Sequence, residues 1–539
     1  MRITNKIMQN NNLSNINTNK VYQDKLSTQM STQKKINRPS DDPVVAIRAL
    51  RLRSSVTEIS QYYTKNIPDA NSWLNVTEDG LNNLTSILTN MRTQAVKGAN
   101  GDLTTTDRKI ILEQLRALSD EVYSTANADY AGRYVFAGYR TDTPIAFTES
   151  TTKRKYDITE QIDNKVIDDI VNIDMANSAG DKVIDLNAGT YNSININETD
   201  IQTNTVHRLR LSYGNCDPSE TPVIQTMKLK ADGTPDYDDG KVQWVDIPAN
   251  EVTNSYDKIG SDTPYEYISQ NPDKVVFLAD TGELLLGDKV YTKLMAIKDA
   301  PGTGNVDESE IRVKYTKTDW NKGDLRPEHF FACTATNYDV AGNLDPKTTI
   351  NYNDAYLDWT AEEQVIEYDV GFNQTIRVNA TAKENFQPGI KRDTEDLIAA
   401  MQEVQNIEDA IGRLEKLKEE TSDATELATL ETQLDAANKA FAFAKDNAQK
   451  LYEHAITKYD KYLDTANLAV TETGTRSKKL ELIENRMQNQ KTTFETLKSE
   501  NEDIDITEVA INLNSAELTY EAALMATGKV MQSTLLNYI

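Results

Sequence analysis

The two ends of the chain carry apolar residues at alternating spacings of three and four, and the stretch between them does not. Leu81, Leu84, Leu88, Met91 and Ala95 step by 3, 4, 3 and 4, and Ile111, Leu115, Leu118 and Val122 resume the pattern after Gly98-Ala99-Asn100-Gly101. Such spacing lays the apolar side chains on one helical face, so a helical hairpin or bundle with coiled-coil packing is predicted. Towards the other end, Leu427, Leu430, Leu434, Ala437, Phe441, Ala444, Ala448 and Leu451 follow the same rule, and Leu480, Ile483, Met487, Gln490, Phe494 and Leu497 take it up after Gly474. A last seam runs Val509, Leu513, Ala516, Tyr520, Ala523, Thr527 and Val530, ahead of the apolar ending Leu535-Leu536-Asn537-Tyr538-Ile539.

Two breaks separate the outermost segments from these helices. The first is Ile36-Asn37-Arg38-Pro39-Ser40-Asp41-Asp42-Pro43. A residue before proline is pushed out of the helical region, so Arg38 and Asp42 are expected to be extended, with Asp42 as N-cap and Pro43 as the first helical residue. The helix that follows should run to near Gly98, with Val44, Ile47, Leu50, Val56, Ile59, Tyr63 and Trp73 on its apolar side and Pro68 kinking or dividing it. The second break, Asn501-Glu502-Asp503, precedes Asp505 with Glu508 three residues on, a capping-box arrangement. Residues 1–36 carry only a weak apolar stripe (Ile3, Ile7, Leu13, Ile16, Val21, Leu26, Met30, Ile36) among Asn, Gln, Thr and Ser. That stripe buries too little to offset a backbone ordering cost of ~1–2 kcal/mol per residue, so the segment is expected to be disordered alone and helical when packed.

Between the helical ends the period changes. Gly132 reads as a helix stop and Arg133 to Gly138 as a strand leaving it. The runs 165–171, 182–186, 193–196, 242–245, 274–278 and 375–378, bounded by Gly, Asn, Asp and Pro, read as antiparallel strands. The predicted class is α+β: a long-helix coiled-coil core built from both chain termini, with a β-rich inserted outer domain. The expected layout is an inner helical segment at 1–42, one half of the helical core at 43–148, the insert at 149–392 in one or two subdomains, the other half of the core at 393–504, and a second inner segment at 505–539.

Charge sharpens the contrast between ends and middle. Residues 1–140 hold 18 Lys/Arg against 13 Asp/Glu and residues 440–539 hold 11 against 15, so the middle carries −27 while the whole chain carries −26. An acidic body of that kind repels nucleic acid and anionic membranes, and no nucleic-acid or membrane partner is expected. The opening residues lack the apolar core of a general secretory signal, and nothing approaches ~20 consecutive apolar residues. Cys216 and Cys333 have no CxxC partner, and both read as small buried residues rather than a disulfide. His207, His329 and His454 are isolated and read as surface or loop histidines; no metal motif, phosphate loop or nucleophile elbow appears. No cofactor, metal site or catalytic residue is expected, and the chain is not read as an enzyme. Trp244, Trp320 and Trp359 leave room for a ligand surface on the insert.

Several of these segments together resemble a family. Met1-Arg2-Ile3-Thr4-Asn5, the 36–43 motif, and Asn127 with Gly132-Arg133-Tyr134-Val135-Phe136-Ala137-Gly138 are similar to the bacterial flagellar hook-filament junction proteins, the third hook-associated proteins of the flagellin-like superfamily. Thr473-Gly474-Thr475-Arg476, Leu480-Glu481 and the stretch from Tyr520-Glu521-Ala522-Ala523-Leu524 to Ile539 match the other half of that pattern. Flagellin shares the architecture, but its Asp-Asp-Ala-Ala-Gly motif is replaced here by Asp41-Asp42-Pro43-Val44-Val45. The insert is longer than the family's usual single β domain.

The resemblance implies a structural adaptor joining the hook, through the first hook-associated protein, to the flagellin filament as a ring of subunits. It implies an extracellular flagellar location reached unfolded through the flagellar type III apparatus, with an export chaperone on the C-terminal helix. A minor flagellin is the alternative. Lone terminal helices have little to pack on except each other and neighbouring copies. The expected assembly interface is therefore Asn37, Arg38, Asp41, Asp42, Ile3, Ile7, Leu513, Tyr520, Leu535 and Leu536.

Overall fold

The computed structural model describes residues 5–101, 103–177, 179–228, 230, 236–238, 241–296, 310–339, 341–357 and 364–532. The helices are α1 (Asn5–Thr32), α2 (Pro43–Gln61), α3 (Ile67–Gly98), α4 (Thr105–Ala126), α5 (Pro264–Gln270), α6 (Asp288–Met295), α7 (Ala382–Asn385), α8 (Pro388–Glu420), α9 (Ala424–Glu502) and α10 (Ile506–Gln532). The class is α+β, with long helices at both ends and a strand-rich middle. Two compact units divide the chain: residues 1–71, 368–376 and 477–539 form the first, and residues 72–367 and 377–476 the second.

In the first unit α1 packs along α10. Their shared core is small: Leu26, Val509 and Ala516 are buried, with Ile504 and Leu513 partly covered against them. Of α1, Ile16 and Leu26 are the buried apolar side chains among the described residues. Asp42 caps α2 with extended backbone, its Oδ1 accepting from the N–H groups of Val44 (3.0 Å) and Val45 (3.1 Å), and Pro43 follows at the first helical position. The expected long helix runs on to Gly98 through a π-helical turn at Tyr62–Asn66, where the Ile67 N–H donates to the Tyr62 carbonyl, and Pro68, with no N–H to place, follows directly after it. The apolar face predicted for α2 is corrected as well. Ala46, Ala49 and Ile59 are buried, whereas Val44, Ile47 and Leu50 are exposed.

The second unit holds the helical seams and two sheets. Leu74, Leu81, Leu84, Leu88, Met91 and Ala95 of α3 are buried, as are Ile111, Leu115 and Val122 of α4. The α9 seam from Leu430 to Ala448 packs with Ala400, Val404, Ile407 and Leu414 of α8. The same cluster takes in Val183, Leu186, Ile194 and Ile196. This explains why runs 182–186 and 193–196 are not strands: a short apolar run has no intrinsic period to hold it in a sheet, and here the helix pair covers it. Residues Val183–Asp185 form a 3-10 turn instead. Run 165–171 likewise begins as a 3-10 turn, Asn164–Val166, before the strand Asp168–Asp174. Gly474 does not interrupt α9, which runs unbroken through it.

One sheet orders the strands Glu251–Thr253, Val275–Leu278, Glu283–Leu286, Gln202–Arg210 and Asp168–Asp174. Its first pair is parallel, against the all-antiparallel expectation, and the rest are antiparallel. The other orders Ile350–Tyr352, Ala332–Asn337, Arg154–Ile162, Ile311–Lys317, Val223–Met227 and Trp244–Pro248, all antiparallel. Gly282 has φ +68°, and a Cβ there would lie 1.9 Å from the Tyr213 carbonyl oxygen, so no other residue fits that turn.

Three readings of single residues change. Gly132 is not the helix stop: α4 ends at Ala126, and Ala131 (φ 52°) with Gly132 (φ 77°) makes the two-residue turn of the hairpin Asp129–Tyr130/Arg133–Tyr134. His329 is buried rather than superficial, its Nε2 3.2 Å from the Pro144 carbonyl oxygen, and burial pushes its pKa down to about 4. Trp320 is fully buried, stacked on Phe147 at 5.0 Å and edge-on to Tyr156 and Tyr213, so it offers no ligand surface. Trp359 lies outside the described residues. Cys216 and Cys333 are buried free thiols, with burial pushing Cys216 up to about 12.

Candidate assembly interface

The two breaks in the helical pattern meet in the first unit. α1 ends at Thr32, Gln33 with a φ of 58° turns the chain, and Lys34 then pairs with Asp503 in an antiparallel bridge. The Lys35 N–H donates to the Glu502 carbonyl (2.7 Å), and the Ile504 N–H to the Gln33 carbonyl (3.2 Å). Asn501 Nδ2 donates to the Val45 carbonyl at 3.2 Å. Backbone groups that two separate helix ends would leave unsatisfied are thus paired with each other.

Charge completes this clasp. Glu502 is only 2% exposed, and Arg53 reaches it with both Nε (2.5 Å to Oε1) and Nη2 (2.8 Å to Oε2). Lys34 adds a second cation 3.6 Å from Oε2 and also pairs with Asp503. The hydrogen bond from Arg53, ahead of its charge and that of Lys34, holds the Glu502 carboxyl below the usual carboxylate range. A bidentate guanidinium fixes direction as well as charge.

The expected interface residues fall into three places. Asp41 accepts from the N–H groups of Arg38 (2.9 Å) and Asn37 (3.1 Å), bonds that hold its carboxyl low and close the loop before α2. Asn37, Arg38 and Asp41 are exposed, and Asp42 is half-buried as the cap. Ile7 on α1 is exposed, whereas Leu513 and Tyr520 on α10 are half-buried. Ile3, Leu535 and Leu536 lie outside the described residues.

A further set was not legible as a seam. On α10, Val509 and Ala516 face α1, but Ile511, Leu518 and Met525 are 64%, 68% and 67% exposed. Seven residues return a helix to nearly the same azimuth, and a shift of two moves by about 200°. α10 therefore carries a second apolar stripe on the side away from its partner helix. A helix apolar on two opposite faces has more surface to bury than one partner helix covers. Val44, Ile47 and Leu50 of α2, with Leu13 and Val21 of α1, add to the uncovered apolar surface of this unit. The clue in the sequence was a second heptad offset by two from the first.

No helix among the described residues is long and apolar enough to cross a membrane, and no group of His, Cys, Asp and Glu among them could hold a metal ion.

Comparison with known proteins bears on the same region. Residues 3–141 match the bacterial flagellin N-terminal helical region. Flagellar hook-associated protein 3 of Salmonella typhimurium is 34% identical over 143 residues, covering 26% of this chain and 45% of that protein. A flagellin of Clostridium tyrobutyricum is 35% identical over 127 residues, covering 24% of this chain and 33% of the flagellin. The chain thus spans less than half the length of these curated relatives. Among solved structures, flagellar hook-associated protein 3 of Legionella pneumophila has a TM-score of 0.28 at 10% identity, covering 83% of this chain and 96% of that one. Residues 3–141 thus carry a flagellin-type N-terminal helical region, and over 143 residues the chain is similar to flagellar hook-associated protein 3.

Proposed function

We propose that this chain is a structural adaptor of the bacterial flagellum, joining the hook, through the first hook-associated protein, to the flagellin filament. Copies assemble as a ring through the terminal helices, with α1 and α10 innermost. The observation that carries the reading is the uncovered stripe Ile511, Leu518 and Met525, opposite the seam that α10 gives to α1. The likeness to flagellar hook-associated protein 3 supports the junction position. Asn37, Arg38, Asp41 and Asp42, between α1 and α2, are the polar part of the proposed contact, and Ile3, Ile7, Leu513, Tyr520, Leu535 and Leu536 the apolar part. On this reading the chain is exported unfolded to the cell exterior with a chaperone on its C-terminal helix, and it performs no catalysis. A strain lacking it makes hooks and releases flagellin into the medium; normal filaments on that strain would sink the proposal.

The identity to a flagellin favours one other reading, a minor flagellin within the filament. The two separate in vitro. A flagellin polymerises alone into long filaments, and a junction adaptor stays monomeric or stops at a short stack.

A further inference from the structure

The second unit contains a cavity of about 660 Å³ whose lining runs against the charge of the chain. Of its ten Asp, Glu, Lys and Arg side chains, seven are cationic, in a molecule of net charge −26. Of the lining cations Arg208 and Arg392 are buried and Arg210 nearly so, which makes them its floor, whereas Lys165, Lys383 and Lys461 are exposed and stand at its mouth.

The carboxylates nearby are already engaged. Asp168 accepts from Arg208 Nε (3.0 Å) and Nη2 (2.8 Å), and Arg208 is met from behind by Glu283 (2.7 Å) and Asp396 (3.0 Å). Arg210 lies against Asp396, and Arg392 Nη1 is 2.8 Å from Glu395. Asp393 accepts from Lys458 (2.6 Å) and from the Tyr462 hydroxyl (2.8 Å). Glu160 accepts from the Ser212 N–H, the Ser212 hydroxyl and the Tyr315 hydroxyl, and burial raises its pKa. At the mouth the balance fails. Lys165 and Lys461 make no ion pair among the described residues, and Lys383 sits 3.8 Å over the Tyr356 ring instead of on a carboxylate. Burial, with Arg392 and Arg208 alongside, pushes Arg210 down to about 9, the direction expected where cations crowd a poorly solvated space.

Two further features suit an anionic guest. Pro388 and Gly389, the first residues of α8, line the cavity, and the N-cap Gln387 supplies no side-chain hydrogen bond to that helix end. The positive end of a helix 33 residues long adds to the field of the lysines. Phe331 and Tyr462 give the wall flat apolar surface. The volume is that of ordinary small-molecule sites, which run from about 300 to 1,000 Å³.

We infer that this cavity binds a small organic anion of sugar size bearing a carboxylate or phosphate, gripped by Lys165 and Lys461 at the mouth over the arginine floor. The inference is independent of the flagellar reading, because it concerns the second unit alone. Calorimetric titration of the full-length chain with glucuronate, glucose 6-phosphate, glucose and inorganic sulfate tests it. One of the two sugar anions is expected to bind saturably and to weaken as salt is added, with glucose failing to bind. The double variant K165A/K461A, both side chains exposed, should lose at least about tenfold in affinity at an unchanged melting temperature. In the parent chain, hydrogen exchange at residues 387–392 should slow on binding, a readout that needs no variant. Absence of binding by both sugar anions, equal binding of glucose or of sulfate, unchanged affinity in the double variant, or no protection at 387–392 would each overturn it.

Discussion

Arg53 and Glu502 are 449 residues apart in sequence and form a two-point ion pair, 2.5 and 2.8 Å long, at the place where the two breaks in the helical pattern meet. The carboxylate is buried and the guanidinium about half exposed. Removing Arg53 leaves a buried charge with only Lys34 beside it. Glu502→Gln keeps the shape and loses the charge. Since Arg53 is open to solvent, its Coulomb gain is screened, and the larger effect comes from stranding Glu502. We expect Arg53→Ala to destabilise the first unit by roughly 1–3 kcal/mol, more than Glu502→Gln does. Hydrogen exchange at residues 43–53 and 503–510 reads this directly, and equal protection in both variants and the parent would refute it.

Asp42 should behave as a helix cap. Asp42→Ala removes the acceptor for the Val44 and Val45 N–H groups and is expected to cost about 0.5–2 kcal/mol. Asp42→Asn or Asp42→Ser should recover most of that loss in thermal unfolding. A variant with parental stability but a motility defect would assign Asp42 to a contact with a neighbour.

The outer stripe of α10 separates assembly from folding. Leu518→Glu or Met525→Glu places a charge on surface that is already exposed, so monomer melting should shift by less than about 0.5 kcal/mol. The same variants should fail to enter flagella when produced in cells. Incorporation at the parental level would show that this face stays in solvent.

Acid should weaken the second unit through His329. Its pKa falls from the usual 6.5 to about 4 on folding, so between those values the unfolded chain binds the extra proton. Stability is therefore fully present above pH 6.5 and is lost as pH falls towards 4. Between pH 7.5 and 5 the linked loss is roughly 2 kcal/mol. Glu403, raised to about 7 by burial, titrates in the same range with the opposite sign, because there the folded chain binds the extra proton, so the test is a difference: His329→Gln should lose less stability than the parent between pH 7.5 and 5. Parallel profiles would exclude the assignment.

The helical ends and the cap at Asp42 were legible because their information is local: a repeat of 3.5 residues and an Asp-Pro pair each speak within one turn. Val183, Leu186, Ile194 and Ile196 misled because four apolar residues near turns look alike whether a sheet or a helix pair will cover them. The exposed Val44, Ile47 and Leu50 misled for the converse reason, since a hydrophobic stripe marks a covered face without saying whether its own chain covers it. Arg53 and Glu502 gave no sign of each other, because a long-range pair has no period. The arginine floor beneath Lys165 and Lys461 was hidden likewise, its members coming from one strand and α8 and the two lysines from a 3-10 turn and α9.

The pairing of α1 with α10 also bears on time. The clasp beside them joins Gln33, Lys35 and Arg53 to Glu502 and Ile504, with 449 residues between Arg53 and Glu502. Closing a loop costs only about 0.6 kcal/mol more for each doubling of its length, so the distance is tolerable at equilibrium and is felt mainly in the rate. The second unit, residues 72–367 and 377–476, is expected to gain its protection first. Pulsed hydrogen exchange during refolding should then find α1 and α10 the slowest segments to be shielded, which leaves their apolar stripes open for longest.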